Sequence, residues 1–405
     1  MNDESAARTT PTRVRKALVA FASRTHKGRI AFTSGNTIRD DQGSDRDELW
    51  PMTTVAKFGI AAACPDMATY KAWAIAAEEA GYDLLGYGDS QCLIPEMNVA
   101  LAALAGVTSR ALLCPTVSNP ITRHPTVAAS AFAALQELSA GRTRFCLGSG
   151  DSAALSIGER PSTLRELEDF GRAFAALTRG ERATYHGREV RLEWSTRAVP
   201  LWIAAGGPRT MELAGTIADG VLLGAGLSEP VVRDAVARVR GAAQRAGRDP
   251  ETVEIWIFSK VYLSESEQAA WHELAYTLAA SAHHAFRHSL DGKFVPERWR
   301  VPLEQLQRDY VVNEHNNLAN QGERNAQLVV ESGLTEFLGP RFLLAGPPAR
   351  VRARIAEMVD WGVTGFFTSA MFGDPIGMTR AIARDVIAPM RSANPGRARN
   401  HGGVM

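Results

Sequence analysis

From Val55 onward, short uninterrupted apolar runs alternate with segments whose apolar residues recur every three or four positions. Phe58-Gly59-Ile60-Ala61-Ala62-Ala63 is followed by Pro65-Asp66, then by Tyr70, Trp73, Ala74, Ala77 and Ala80, with Gly81 behind them. A run too uniformly apolar to alternate faces predicts a strand covered on both sides. The three-four spacing after a capping Asp predicts a helix that stops at glycine. The unit returns at 84–88 with a helix over 95–108, and at 111–117 with a helix opened by Pro125 and closed by Gly141. Next, 144–148 leads to a helix introduced by the capping box Thr163-x-x-Glu166, ahead of Leu164, Leu167, Phe170, Phe174 and Leu177. Runs at 201–205 and 221–224 follow, each with its helix, then a strand over 253–263. After a long interruption come a helix over 351–361, a last strand at 365–368 and a closing helix to Arg391.

Eight strands alternate with eight helices across 55–391. Continuous apolar strands between amphipathic helices imply a parallel sheet covered by helices, and eight repeats match an α/β (β/α)8 TIM barrel better than the competing open doubly wound sheet. The interruption, 264–342, falls between strand 7 and helix 7. It is too long and too well patterned for a bare loop: Leu274, Leu278, Ala282 and Phe286 share a helical face, and 304–306 and 325–330 predict further helices. In a barrel it emerges at the carboxyl end of the strands, where active sites are built, and is expected to form a lid over the substrate pocket. Residues 1–54 read as a polar N-terminal extension and 392–405 as a disordered tail.

Candidate chemistry sits at the strand ends. The run Leu201-Trp202-Ile203-Ala204-Ala205 breaks into Gly206-Gly207 before a helix starts at Pro208, and the next strand ends in Gly224-Ala225-Gly226. Bare backbone at a helix start offers N–H donors and a favourable dipole to an anion, so two neighbouring glycine-rich ends predict a phosphate cup, with Arg209 or Thr210 adding a contact. Small and polar residues also close the second strand (Gly88-Asp89-Ser90), the third (Thr116-Val117-Ser118) and the fourth (Gly148-Ser149-Gly150-Asp151-Ser152). Such a cluster suits a flat ring needing close backbone approach, although Asp89, Asp151 and Ser152 also suit helix caps. His124 precedes a helix-opening Pro, a position that serves a structural hydrogen bond as well as catalysis. The insertion carries His272, His283, His284, His288 and His315. The pair His284 and His288 lacks the adjacent Glu and third ligand of a metal site, so no metal is expected. The polar stretch Asn313-Glu314-His315-Asn316-Asn317 would line the pocket, and Trp271, Phe286, Trp299 and Tyr310 point either to an organic substrate or to plain packing.

Composition narrows the partners. Forty-five basic against 44 acidic residues in 405 leave a net charge of +1, which argues against nucleic acid and anionic membrane as partners. No stretch approaches the ~18 apolar residues of a membrane span. The run 17–22 is too short, and too closely followed by Arg24 and Lys27, to read as a signal peptide; a cytoplasmic protein is expected. Cys64, Cys92, Cys114 and Cys146 form no C-x-x-C pair and read as reduced thiols.

The segments 116–125, 148–153, Gly158-Glu159-Arg160-Pro161-Ser162-Thr163 and 204–226 together resemble the luciferase-like flavin oxidoreductases, and most of all the branch containing methylenetetrahydromethanopterin reductase. The resemblance spans 55–262 and 343–391. It implies a barrel that binds reduced FMN or the 8-hydroxy-5-deazaflavin coenzyme F420 at its carboxyl face. It further implies that Thr116, Val117 and Ser118 line the ring, with a non-prolyl cis bond between Thr116 and Val117. Gly150, Asp151 and Ser152 would edge the ring or ribityl chain, and Ala205, Gly206, Gly207, Pro208, Gly224, Ala225 and Gly226 would hold the phosphate. The chain departs from the compact reductases in its extension and insertion, and it carries Asp89 where some members place a catalytic histidine. Asp89, His124 and His315 are therefore the candidate catalytic residues. The expected function is a two-component monooxygenase that uses FMNH2 and O2 on a small organic substrate, with a separate flavin reductase as partner. The alternatives are an F420-dependent hydride-transfer enzyme and a non-catalytic flavin-binding protein; a homodimer or homotetramer is expected.

Overall fold

The apolar runs become barrel staves because each is apolar on both faces, one turned to the barrel interior and one to a helix. The computed structural model describes residues 56–62, 64, 66–287, 289–311, 323–370 and 374–393. The 1–54 extension, residues 394–405, His288 and the 313–317 stretch with its candidate His315 lie outside the described residues. Strands β1 (Lys57–Ala62), β2 (Leu84–Tyr87), β3 (Leu112–Pro115), β4 (Phe145–Leu147), β5 (Leu201–Ala205), β6 (Gly220–Leu223), β7 (Glu254–Phe258) and β8 (Gly365–Ala370) form one parallel sheet in the order β3-β2-β1-β8-β7-β6-β5-β4. Parallel bridges from Leu113 to Thr143 and from Ser118 to Leu147 join its two edges. The sheet is a (β/α)8 TIM barrel. Helices α1 (Met67–Glu79), α2 (Met97–Ala105), α3 (Pro125–Leu138), α4 (Leu164–Thr178), α5 (Pro208–Ile217), α6 (Glu229–Arg245), α7 (Pro348–Asp360) and α8 (Pro375–Ile382) surround it.

Large rings fill the interior. Trp202 and Trp256 lie 5.2 Å apart, with Phe367, Leu84, Leu222, Cys114 and Cys146 around them. Glycine on the facing strands makes room: a Cβ on Gly86 would run into the Phe367 ring, and one on Gly365 into Trp256. Between sheet and helices, Phe145 stacks on Phe174 at 4.1 Å and meets Phe132 edge-on at 4.7 Å. The capping box forms as its sequence predicts: Glu166 N donates to Thr163 Oγ1 (3.2 Å) and Thr163 N to Glu166 Oε2 (2.7 Å). Thr163→Ala is expected to cost about 1 kcal/mol in chemical denaturation, with cofactor affinity unchanged.

Two elements differ from the sequence reading. Residues 253–263 are not one strand. At Ser259 the backbone N–H goes to Phe367 O (3.0 Å), and beyond it Lys260–Leu263 pairs with a strand the sequence did not reveal, Leu343–Gly346. Between α4 and β5 a hairpin pairs Ala183–Tyr185 with Arg188–Val190. Its turn residues His186 and Gly187 have φ of +49° and +75°, the two positive values of a type I′ turn.

The insertion builds its own core. Helices Glu267–Glu273, Ala275–Phe286, Glu297–Asp309, Glu323–Glu331 and Thr335–Phe342 enclose Leu278, Ala282, Phe286, Leu303, Leu306 and Leu338. Its aromatic residues are packing: Trp299 stacks on Phe337 (6.0 Å), Tyr310 on His283 (4.1 Å), and Trp271 closes over Gly339.

Candidate functional site

The two glycine-rich ends lie side by side. Ala205 pairs with Leu223, and Gly224 N donates to Ala205 O at 3.0 Å. Gly207 is the N-cap of α5 and no side chain caps that helix; Met211 is the first residue whose N–H finds a helical acceptor, Gly207 O at 3.0 Å. A Cβ on Gly206, Gly207 or Gly224 would meet nothing within 4 Å. The uncapped helix start therefore borders open room, and its free N–H donors and dipole favour an anion there. The opposite wall comes from the insertion, through Ala285, Lys293, Phe294 and Arg341.

Farther round the rim, the Thr116–Val117 peptide bond is cis. Its segment is held from both sides: Thr116 N donates to Tyr87 O (2.7 Å), Ser118 N to Cys146 O (2.9 Å), and Gly148 N to Ser118 O (2.8 Å). A Cβ on Gly148 would stand 2.8 Å from Val117 Cγ2, so glycine there lets the bulge sit against β4. The Thr116 hydroxyl and the Asn119 amide nitrogen are buried without a hydrogen-bond partner among the described residues. Buried polar groups normally find partners. An orphaned hydroxyl beside a bulged backbone, with an open glycine cradle on the same rim, fits a planar polar heterocycle with a phosphate tail.

Asp89 is no helix cap: Glu96 caps α2. The Asp89 carboxylate, 1% exposed, accepts from Ser118 Oγ at 2.8 Å and pairs with Arg123 Nη1 at 2.5 Å, while Arg123 Nη2 reaches Glu96 at 2.8 Å. Burial opposes the Arg123 charge, but Asp89 and Glu96 more than offset it and hold that guanidinium above its ordinary pKa. Asp89 thus acts through Ser118 on the segment that follows the cis bond. Asp151 likewise makes no side-chain cap contact; it pairs with His284 Nδ1 (3.0 Å) and Arg287 Nη1 (3.3 Å), tying the fourth strand end to the insertion. Ser152 Oγ meets Ser90 Oγ at 2.6 Å, linking the fourth and second strand ends. The catalytic candidate His124 is placed as a cap instead. Its Nδ1 accepts from Thr126 N at 3.2 Å, its exposed ring lies edge-on to Tyr185, and it turns to α3 rather than to the rim.

Sequence reading missed Arg123, Lys260, Lys293 and Arg341. Arg123 stands inside a motif already singled out, but its partner Asp89 is 34 residues away and only the barrel brings them together. Lys260, just past β7, places Nζ 3.3 Å from Ser369 Oγ, and burial pushes it down to about 8. His283 is held below the usual imidazole range by burial and by its neighbours His284 and Arg287. Among the described residues, no three His, Cys, Asp or Glu side chains gather to hold a metal ion, and no helix is long and apolar enough to cross a membrane.

A family model described as luciferase-like monooxygenase matches residues 47–365. The chain is 29% identical over 303 residues to 5,10-methylenetetrahydromethanopterin reductase of Methanolobus tindarius, covering 71% of this chain and 84% of that protein. It is 26% identical over 263 residues to F420-dependent glucose-6-phosphate dehydrogenase of Nakamurella multipartita, covering 60% and 78%. The structure of the coenzyme F420-dependent tetrahydromethanopterin reductase of Methanopyrus kandleri superposes with a TM-score of 0.64 at 20% identity, over 84% of this chain and all of that one.

Proposed function

Since the chain belongs to the luciferase-like monooxygenase family and is an oxidoreductase of that family, we propose that it transfers hydride between a small organic substrate and coenzyme F420. The observation that carries this reading is the F420 dependence of the Nakamurella and Methanopyrus relatives. It weighs the deazaflavin above the FMNH2 monooxygenase expected from sequence. A bound deazaflavin supplies a ring that takes and returns hydride without activating oxygen.

The chain's own residues bind and orient. Gly206, Gly207 and Gly224 would admit the phosphate to the start of α5, and the Thr116–Ser118 bulge would stand beside the ring. Asp89, through Ser118, keeps the bulge in place. Lys260 Nζ, beside Ser369 and pushed down to about 8 by burial, is placed to exchange a proton with a substrate heteroatom, giving one up when the substrate is reduced and, once deprotonated, taking one when an alcohol is oxidised. The insertion, anchored through Asp151, shields the rim from water. That same wall is what favours the competing FMNH2 reading, in which it protects an oxygen-sensitive intermediate and a flavin reductase is the partner.

Fluorescence titration under nitrogen separates the two. F420 is expected to bind with micromolar affinity or better and FMN at least tenfold more weakly, with F420 reduced by alcohol or sugar-phosphate donors in the absence of oxygen. Saturation by FMN, no binding of F420, and substrate-dependent oxygen uptake with FMNH2 would overturn the proposal.

A further inference from the structure

Arg341 is the best-buried cation near the glycine cradle, at 4% exposure. Three aromatic rings enclose its guanidinium, Phe286 at 5.1 Å, Phe337 at 5.5 Å and Phe342 at 5.6 Å. Nη1 and Nη2 donate to backbone carbonyls: Phe294 O (3.4 Å), Lys293 O (2.9 Å) and Ala225 O (3.1 Å). Nε has no partner among the described residues, although it is fully enclosed. It lies on the Gly226 side of the cradle, 3.1 Å from where a Cβ of that glycine would stand. No carboxylate pairs with Arg341 among the described residues, and burial lowers it to about 10.

A second cation faces the same cleft. Lys293 is carried by a turn in which Gly292 and Phe294 have φ of +68° and +53°, and its Nζ donates to Ala285 O at 2.5 Å. Burial, then the charges of Arg341 and Arg287, push Lys293 below its ordinary value. Among the described residues, the one carboxylate lining the cleft is Asp234, held by Arg238 Nε at 2.7 Å. Two partly desolvated cations and the open start of α5 thus converge on one space. A buried charge without a counter-ion is costly, and an anion seated beside it lowers that cost.

We propose that the insertion supplies the counter-charge of the cofactor site: Lys293 Nζ reaches a phosphate ester whose remaining oxygens rest on the first-turn N–H groups of α5, and the enclosed Arg341 guanidinium adds its charge from behind Ala225 and Gly226. The insertion is then part of the binding site as well as its cover. This rests on the cofactor site as placed above but not on which redox ring occupies it.

The test compares cofactors pair by pair: F420 against its deazariboflavin, which lacks the phosphate and the acidic tail beyond it, and FMN against riboflavin, which lacks the phosphate alone. In the wild-type protein, the phosphate-bearing member of whichever pair binds is expected to be preferred at least tenfold, and inorganic phosphate to compete with it alone. Lys293→Gln and Arg341→Gln are each expected to cut that preference about tenfold, leaving affinity for the phosphate-free member unchanged. Arg341 also holds three carbonyls, so if Arg341→Gln fails to fold, Lys293→Gln decides alone. A folded Lys293→Gln that keeps the full preference overturns the proposal. So does a loss confined to free phosphate or a sugar phosphate, because the cluster then serves the substrate. Binding of the FMN pair but not the F420 pair would overturn the functional reading and leave this one standing; binding of neither overturns both.

Discussion

Gly207→Asp is expected to lower cofactor affinity about a thousandfold while leaving the melting temperature unchanged or slightly raised. The Cβ enters open space, so no protein atom has to move. The position is the N-cap of α5, with φ −137° and ψ 161°, an extended conformation natural to Asp. An Asp cap in place of Gly stabilises a helix by a few tenths of a kcal/mol. The same carboxylate, however, stands where the phosphate belongs. Two like charges about 4 Å apart repel by ~4 kcal/mol at an effective dielectric of ~20, which is three powers of ten in affinity. Titration with F420 or FMN beside a thermal melt reads both quantities. Unchanged affinity would place the anion elsewhere; a collapsed melting temperature would mean that the loop does more for the fold than the open space indicates.

Asp89→Ala is expected to act on both stability and turnover. Arg123, whose side chain is 14% exposed, would keep Glu96 but lose its buried partner, and Ser118 Oγ would lose its acceptor. Removing one member of a buried pair costs about 3 kcal/mol or more, and the retained contact to the more exposed Glu96 argues for the lower figure. Turnover is expected to fall ~10- to 100-fold, because small misplacement of groups around a reacting ring has that effect. Cofactor affinity, set chiefly by the phosphate cradle at the ends of β5 and β6, is expected to change less than threefold. Asp89→Asn tests the route: it keeps an acceptor for Ser118 and removes the charge facing Arg123. Recovery of turnover in Asp89→Asn, with stability still reduced, would identify the Ser118 contact as the one that matters. Normal turnover in Asp89→Ala would remove Asp89 from the site.

The local elements were legible because their causes are local. Thr163 and Glu166 lie three residues apart, so the capping box needs nothing from the rest of the chain. Gly206-Gly207-Pro208 announces a strand end and a helix start within three residues. The 186–187 turn escaped notice because its flanking strands are only three residues each, too short for alternation to stand out, and its φ values belong to a backbone geometry that the residue types do not demand. Leu343–Gly346 escaped because a four-residue apolar run at the end of a helical insertion reads equally well as helix, and only its partner strand Lys260–Leu263 makes it a strand.

Periodicity and glycine placement thus determined the eight staves, the position of the insertion and the rim on which the candidate residues fall, since each depends on neighbours a few residues apart. Tertiary structure alone decided the charges. Asp89 meets Arg123 across 34 residues, Asp151 meets Arg287 across 136, and Arg341 reaches Ala225 across 116. The energy of an ion depends on what surrounds it in space, which no spacing along the chain encodes. A cap or a cation at the cofactor's edge is told apart only once the barrel has closed.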